Sequence, residues 1–429
     1  MEQIPLYVFA FVSVYVQIFL FIVLIEEWDK IFIKKSDKKI SLFPKVVIAV
    51  PCWNEEKTVE KTILSLINLN YPKDKLDIYL VNDGSTDNTK GVLESFEDKD
   101  KYPNITVIHK ENGGKHTAMN LILEKLLAMP ASASPDIFGC LDADSYVFPD
   151  TLQNMLINFE EDKEMMATTP MLIVRKPNNI LQAIQSVEYN YGLLLKRIFG
   201  VINGIHVTPG PFSLFRLDVF RKIGLYKKAH NTEDMEITFR MQKNHMKIGA
   251  SIEAYVETST PNTVYKLYKQ RLRWAQGFLQ NSIDYKEILF RPSYGSVALI
   301  TIPLGWFGII MVLYIAFVTI KNFITFLYNK FIIWKVAGFT SFSISSFSSF
   351  DFAKYLNDLF LQTNLLQLLL IPMFIAGLLF MLLGHSLSLS SSRKLRYIPY
   401  FIFTWSFLIP FWLGRAMWNT IFNTTNKWR

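Results

Sequence analysis

The sequence predicts an α/β architecture: a cytosolic domain with a Rossmann-like mixed sheet, combined with α-helical transmembrane segments. Apolar runs of about 20 residues, the length that crosses a bilayer, lie near both ends of the chain. Between them, short buried-strand patterns alternate with helical patterns, which is typical of βαβ units. With 429 residues, half of them hydrophobic, the chain is long enough for both parts.

The first predicted element is a membrane helix. The run PLYVFAFVSVYVQIFLFIVLI extends from Pro5 to Ile25 without a charged residue. A cleaved signal peptide would need a basic start and a small-residue cleavage site, whereas this chain begins Met-Glu-Gln and continues with Glu26 and Glu27. We therefore expect the helix to remain, with residues 1–43 forming a transmembrane helix and a basic linker.

The middle of the chain begins as a βαβ unit. VVIAVPC and DIYLVND predict buried strands on either side of a helical pattern, and ITVIHK and IFGCLDADSYV predict two more strands separated by a helix. Such sheets bind ligands at the carboxyl ends of their strands. We therefore expect Asp83, residues 109–115, and Asp142 with Asp144 at one edge of the sheet.

Asp142 and Asp144 are predicted to bind a divalent cation. In an extended chain, residues two apart lie on the same side, so both carboxylates would face one ion. Mg²⁺ or Mn²⁺ takes oxygen ligands and is commonly held by one or two carboxylates together with substrate phosphates. We therefore expect a substrate that carries a diphosphate.

Three later segments predict helices. Thr232-Glu233-Asp234 precedes MEITFRMQ, which predicts Thr232 as an N-cap followed by acidic residues in the first turn. VYKLYKQRLRWAQGFLQ predicts an amphipathic helix at the membrane surface, within residues 264–295, and contains QRLRW. ILQAIQSVEYNYGLLLKRIFG, from Ile180, predicts a second interfacial helix.

The C-terminal membrane region, residues 296–429, contains three further apolar runs, about 296–320, 365–384 and 397–418. Basic residues follow the first span and separate the last two: Lys30, Lys34, Lys35, Lys38 and Lys39, then Arg393, Lys394 and Arg396. Positive charge near membrane spans favours the cytoplasmic side. This places residues 26–295 in the cytosol and leaves 321–363 as an external loop or an interfacial element.

Charge and cysteine content restrict the partners. A net charge of +8 suits anionic lipid or an acidic ligand, and no cluster of interleaved basic and aromatic residues indicates nucleic acid. Cys52 and Cys140 lie in apolar strand-like runs, where a disulfide is not expected in a reducing cytosol.

Six motifs in this order resemble the family 2 inverting glycosyltransferases: PCWNEE, NDGS, GGKHTAMN, DADS, TED and QRLRW. The likeness covers about residues 44–280. More narrowly, the sequence resembles the membrane-embedded processive branch of this family, which contains the cellulose, chitin, hyaluronan and poly-N-acetylglucosamine synthases. The resemblance implies a cytosolic GT-A domain over residues 44–263.

The resemblance also implies roles for single residues. Asp142 and Asp144 would bind Mg²⁺ or Mn²⁺, and Asp234, beside Glu233, would deprotonate the acceptor hydroxyl. Trp274 would stack on the acceptor sugar, and Gly210 would lie in a loop that lines the acceptor. The donor contacts implied are Pro51, Trp53, Glu55, Asp83, Lys115, Asp142, Arg271 and Arg273.

The implied activity is transfer from a nucleotide-diphosphate sugar, with UDP-N-acetylglucosamine expected, to elongate and export a β-linked polysaccharide. The expected partners are the growing polysaccharide or a lipid-linked acceptor, the bilayer of the cell membrane, and accessory export proteins. Two alternatives stay open: transfer of one sugar to a polyprenyl phosphate or other lipid, and a non-catalytic scaffold or export subunit. QRLRW favours elongation, and the intact aspartates of the motifs favour catalysis.

Overall fold

The computed structural model describes residues 4–33, 40–130, 132–337, 365–389 and 395–424. Its strands are β1 Val46–Cys52, β2 Leu76–Asp83, β3 Ile105–Lys110, β4 Ile137–Cys140, β5 Ser145–Val147, β6 Met165–Val174, β7 Ser213–Arg216 and β8 Lys247–Thr258. Its α-helices are α1 Ile4–Glu26, α2 Trp28–Phe32, α3 Val59–Ile67, α4 Thr89–Glu94, α5 Lys115–Leu127, α6 Thr151–Glu161, α7 Ile180–Val201, α8 Leu217–Ile223, α9 Glu233–Lys243, α10 Val264–Asp284, α11 Ile302–Ala337, α12 Leu365–Ser386 and α13 Ile398–Ile421.

The strands form one mixed sheet in the order β3-β2-β1-β4-β7-β6-β8-β5, which confirms the predicted sheet type. The four strands from β3 to β4 are parallel, whereas β7 runs antiparallel to both of its neighbours. The parallel half therefore presents the carboxyl ends of β1, β2, β3 and β4 at one edge, as the βαβ pattern predicts.

Helices cover both faces of the sheet, and the sequence of β1 shows why. Val46, Ile48 and Val50 pack into a core with α3 and α6, while Val47 and Ala49 pack into a second core with α5 and α9. A strand that is buried on both faces must be apolar at every position, which accounts for the continuous run VVIAV.

The segment IFGCLDADSYV is not one extended strand, contrary to the prediction. β4 ends at Cys140, and the chain turns before β5 begins at Ser145, whose N–H donates to the Asp142 carbonyl at 3.0 Å. β4 lies in the middle of the sheet, whereas β5 pairs with β8 at its far edge. Asp142 and Asp144 therefore come together in a turn, where aspartate is common, and not through strand alternation.

Within the described ranges, four helices are long and apolar enough to cross a membrane, as predicted: Ile4–Glu26, Val297–Val336, Leu368–Ser386 and Leu395–Ile421. The second is longer than expected, because α11 continues to Ala337. Residues 321–337 contain neither glycine nor proline, so nothing in the sequence ends the helix at 320. Residues 338–363 of the predicted loop, and most of the two basic clusters, lie outside the described residues.

The chain divides into two compact units, residues 1–25 with 306–380, and residues 26–305 with 381–429. In the first unit, the Gln17 side-chain amide donates to the Met373 carbonyl at 3.0 Å. In the second unit, α13 packs against α10 and α7. All the candidate site residues belong to the second unit.

Candidate functional site

The carboxyl ends of β2 and β3 are joined through Asp83. Its carboxylate is almost fully buried and accepts hydrogen bonds from Lys110 Nζ at 2.6 Å and from the backbone N–H groups of Gly113 and Gly114 at 3.0 and 2.8 Å. Asp83 therefore holds the loop that contains Gly113 and Gly114 in place. This structural role does not depend on any contact with a ligand. The predicted donor contact of Asp83 stays a prediction.

At two positions in the loops beside Asp83, the backbone conformation requires glycine. Gly84 follows Asp83 with φ +68°, and a Cβ there would lie 2.6 Å from the backbone nitrogen of Asn112. Gly114 has φ +94° and precedes the first residue of α5, Lys115. Both positions are in the left-handed region that glycine adopts without strain.

The loop after β1 is tied to the loop after β2. Asn54 accepts from the backbone N–H of Thr86 at 2.8 Å, and the N–H of Glu55 donates to the Thr89 hydroxyl at 2.8 Å. Burial raises the pKa of the Glu55 carboxyl, the hydrogen bond from Thr58 opposes this shift, and Asp142 adds to it. The half-buried side chains of Pro51, Trp53 and Glu55 thus lie on a fixed loop at the same sheet edge as Asp83.

Lys115 connects the DADS turn with the acidic start of α9. Its Nζ lies 2.5 Å from Asp142 Oδ1 and 3.9 Å from Glu233 Oε1. Burial alone would lower the pKa of Lys115, but Asp142 and the two acids of α9 raise it well above its usual range. The ammonium therefore stays charged beside three carboxylates, which come from two distant parts of the chain.

Gly210 lies directly against this ion pair. A Cβ on Gly210 would approach Asp142 Oδ1 to 2.7 Å and would also collide with Lys115 Nζ. The segment before it is anchored to α9, because the Thr208 hydroxyl donates to the Asp234 carbonyl at 3.1 Å. The structure thus brings the predicted small residue to the centre of the site.

Asp142 and Asp144 form a donor pair that suits Mg²⁺ or Mn²⁺. Burial and the neighbouring carboxylates of Asp142 and Glu55 raise the pKa of Asp144 to about 7, and a cation bound beside it would favour its ionised form. Among the residues that the structure describes, no group of three or more His, Cys, Asp or Glu could hold an ion. One or two carboxylates completed by phosphate oxygens and water are the usual arrangement for these metals.

Asp234 lies in the first turn of α9, as predicted, but Thr232 does not cap the helix through its side chain. The Thr232 hydroxyl donates to the Ala229 carbonyl at 3.2 Å and accepts from Asn281 Nδ2 at 3.0 Å, so it is committed to α10. Burial and Glu233 raise the pKa of Asp234 to about 6, although Lys115 and Arg273 oppose this shift. A carboxylate with such a pKa can accept a proton near neutral pH.

The two arginines of QRLRW serve different neighbours. Residues two apart on an α-helix point about 200° from each other. Arg273 lies close enough to Asp234 to lower the pKa of that carboxyl. It lies on the same face of α10 as Gly277, which packs against Thr232. Arg271 is buried, lies 2.6 Å from Glu188 of α7, and places its guanidinium 4.3 Å from the Trp274 ring centroid. This geometry therefore does not by itself indicate that both arginines bind one diphosphate.

Glu188 is a site residue whose physical role could not be predicted from the sequence. It lies on α7, pairs with Arg271, and accepts a hydrogen bond from the indole of Trp405 on α13. The sequence signal was the pair Glu188-Tyr189, which resembles a pattern in the same glycosyltransferase family. Its partners are far along the chain, so the pairing could not be read from spacing.

Comparison with known families gives two overlapping matches. The model described as glycosyl transferase family 2 matches residues 47–224, and the model described as glycosyl transferase family group 2 matches residues 137–415. Together they include the DADS turn, Asp234 and QRLRW. The second match covers more than half of the chain.

The chain is also similar to individual proteins. It is 30% identical over 245 residues to a poly-beta-1,6-N-acetyl-D-glucosamine synthase of Staphylococcus aureus, a match that spans 57% of each chain. It is 29% identical over 309 residues to the synthase of the same name from Staphylococcus epidermidis, covering 70% of this chain and 69% of the relative.

One solved structure matches nearly the whole chain. The mannosyltransferase PcManGT from Pyrobaculum calidifontis, solved in complex with GDP-Man and Mn²⁺, aligns with a TM-score of 0.57 at 16% identity, over 98% of this chain and 99% of its own. At that identity the likeness establishes a shared fold, which contains the GT-A type of mixed sheet.

Proposed function

Because the chain belongs to glycosyl transferase family group 2, we propose that it transfers a sugar, with inversion, from a nucleotide diphosphate to the end of a growing polysaccharide. The expected donor is UDP-N-acetylglucosamine, the activated form of the sugar in the names of the staphylococcal relatives. The observation that carries the proposal is the cluster around Lys115, in which its ammonium interacts with Asp142 and Asp144 of the DADS turn and with Glu233 and Asp234 of α9.

Asp142 and Asp144 are the residues that would hold Mg²⁺ or Mn²⁺. Bound there, the metal would supply positive charge for the diphosphate leaving group. Lys115 would contribute its ammonium to the same phosphates, exchanging Asp142 for the ligand. Arg273 lies near enough to act on Asp234 and would help to keep that residue ionised.

Asp234 would accept the proton of the attacking acceptor hydroxyl. Its raised pKa makes it a stronger base than an exposed aspartate while leaving it mostly ionised at neutral pH. Attack from the side opposite the diphosphate would convert an α-linked donor sugar into a β-linkage. Gly210 would leave room for the acceptor, and Trp274 would offer it a stacking surface.

The test is donor turnover by the purified protein in lipid nanodiscs. UDP-N-acetylglucosamine, UDP-glucose and GDP-mannose would be supplied singly with Mn²⁺ or Mg²⁺, and release of the nucleoside diphosphate would be followed. We expect release from UDP-N-acetylglucosamine, lost in EDTA and in the Asp144→Asn protein. The proposal fails if no donor is turned over, or if turnover persists at the full rate in EDTA.

A further inference from the structure

The start of α9, which carries the proposed base Asp234, lacks a side-chain cap. Thr232 occupies the N-cap position, but its hydroxyl makes no hydrogen bond to the helix. Just before it, Ala229 and His230 have φ angles of +34° and +54°, in the left-handed region that is strained for residues with a side chain. An uncapped helix start that follows a strained turn keeps its position only if the surrounding structure holds it.

One face of α10 makes contacts that hold this segment. Asn281 Nδ2 donates to the Thr232 hydroxyl at 3.0 Å, and Asp284 Oδ2 lies 2.8 Å from His230 Nε2. Gly277 lies against Thr232, because a Cβ at this position would collide with the threonine side chain. Positions 277, 281 and 284 are four and three residues apart, so they share one face of the helix.

Asn281 is at the centre of this face. Its side chain is fully buried, and its amide nitrogen donates twice, to the Thr232 hydroxyl and to the Gly277 carbonyl at 2.8 Å. Its Oδ1 has no hydrogen-bond partner among the described residues. A buried polar atom without a partner destabilises the folded state, and such atoms are uncommon in folded proteins. Stability alone therefore does not account for an asparagine at this position.

Thr232 connects Asn281 to the proposed base. Its carbonyl accepts from the N–H groups of Met235 and Glu236, both at 3.0 Å, and so begins the hydrogen bonding of α9. Asp234 lies inside that turn, and its Oδ1 accepts from the N–H of Met235 at 2.9 Å. The position of Thr232 therefore sets the position of the Asp234 carboxylate.

The same helix carries the proposed acceptor contact. Arg273 of QRLRW, which opposes the rise that burial causes in the pKa of Asp234, lies four residues before Gly277 and on the same face. Trp274, the proposed stacking surface for the acceptor, is the next residue. A hydrogen bond from α10 to the start of α9 would thus keep the base at a set distance from the acceptor.

We propose that Asn281 is a positioning residue for Asp234 and that it acts through the Thr232 hydroxyl. The inference rests on the proposed function, because Asp234 needs a fixed position only if it accepts the proton of the acceptor. A reacting group displaced by about 1 Å can lose about 10²-fold in rate. Proposed donor contacts such as Asp83 and Asp142 lie on other elements, so donor affinity should not depend on Asn281.

The experiment removes each partner of this hydrogen bond. Asn281→Leu keeps the branched shape and deletes the amide, and Thr232→Val deletes the hydroxyl. With UDP-N-acetylglucosamine and Mn²⁺ in nanodiscs, we expect kcat to fall about 10- to 100-fold in each variant, with the donor KM unchanged. The double variant should be no slower than the slower single variant, because both changes break the same contact.

Two further variants separate positioning from general damage. Thr232→Ser keeps the hydroxyl and should keep most of the wild-type kcat. Ser282→Ala is the matched control and should leave kcat unchanged, because Ser282 is also buried beside Asn281 but donates to the Phe278 carbonyl of its own helix. Hydrogen exchange adds a readout that does not need turnover: the first turn of α9 should exchange faster in Asn281→Leu and Thr232→Val than in Ser282→Ala.

The positioning role is overturned if folded Asn281→Leu or Thr232→Val keeps the full kcat, or if Thr232→Ser is as slow as Thr232→Val. It is also overturned if the two single effects multiply in the double variant. Each of these results leaves the proposed function intact. If Asn281→Leu does not fold, the comparison of Thr232→Val with Thr232→Ser decides. Absence of turnover by the wild-type protein would instead overturn the proposed function, and this inference with it.

Discussion

Gly210 lies against the functional ends of Lys115 and Asp142, at a position with no room for a methyl group. Gly210→Ala must displace both groups from the reaction site. We expect sugar transfer to fall about 10²-fold, the usual cost of a displacement of about 1 Å. The fold should survive, because the displaced atoms are the ends of side chains. Transfer rate and thermal unfolding, measured on the same sample, check this.

Gly192→Ala is the matched control for Gly210→Ala. Gly192 lies in the middle of α7, where an added Cβ meets no atom within 4 Å. This variant should keep full activity and gain about 0.5–1 kcal/mol, because alanine loses less backbone freedom in a helix. Equal activity of both variants would mean that Gly210 is remote from the reacting groups.

Asp234 leads to a prediction about pH. Burial and Glu233 raise its pKa to about 6, so it is a carboxylate above that pH and a neutral acid below it. Only the carboxylate accepts a proton, so kcat should be level above pH 6 and fall about tenfold per pH unit below it. A pH–rate profile at saturating donor measures this decrease in kcat.

Asp234→Asn separates chemistry from binding. Asparagine keeps the shape but accepts no proton, so kcat should fall by about 10² to 10⁴ while donor affinity is retained. Calorimetric titration with UDP supplies the affinity. Parallel loss of binding and turnover would make Asp234 a structural residue.

At this scale, the sequence was informative where a residue follows a strand or begins a helix. Asp83, Lys115 and Asp142 could be expected at one edge because parallel strands end together. The role of Glu188 could not be predicted, because its partners, Arg271 and Trp405, are far along the chain. The different directions of the Arg271 and Arg273 side chains could be identified only from the structure of α10 and the elements that pack against it.

At the scale of elements, Glu188 links α7, α10 and α13. Glu188→Gln keeps the shape of the side chain but leaves the buried guanidinium of Arg271 without its counter-charge. We expect a loss of about 2 kcal/mol in stability and reduced polymer formation, because Arg271 also lies over Trp274. Thermal unfolding in detergent and product yield measure the two effects.

Glu287→Gln is the control for Glu188→Gln. Glu287 pairs with Lys243 at 2.5 Å at the protein surface, where solvent screens an ion pair and leaves it little effect on stability. Little change in stability or product is expected. If Glu188→Gln behaves in the same way, the buried pair does not support Trp274.

Most elements could be predicted from periodicity, and the exceptions have physical causes. The sequence predicts a single strand through the DADS turn, because apolar residues flank the aspartates on both sides. The strands that pair with β4 and β5, namely β7 and β8, are distant in sequence. The helix α11 extends beyond the predicted span of 296–320, to Ala337, because no helix-breaking residue follows position 320 before the helix ends.

For the whole molecule, the sequence predicts four apolar helices around a long α/β segment, and the described part of the chain contains four such helices. That result depends only on the length of uncharged runs, a strong local signal. The orientation in the membrane depends on basic residues, most of which lie outside the described residues. The cytosolic position of the catalytic segment therefore stays a prediction.

The measurement that tests the central claim most directly is the size of the product. Purified protein in nanodiscs would receive UDP-[¹⁴C]N-acetylglucosamine and Mn²⁺, and the products would be divided into alcohol-precipitable and organic-extractable fractions. We expect label in precipitable chains that are digested by a β-N-acetylglucosaminidase and absent from the Asp234→Asn reaction. Label recovered only as a single-sugar lipid would contradict the synthase account.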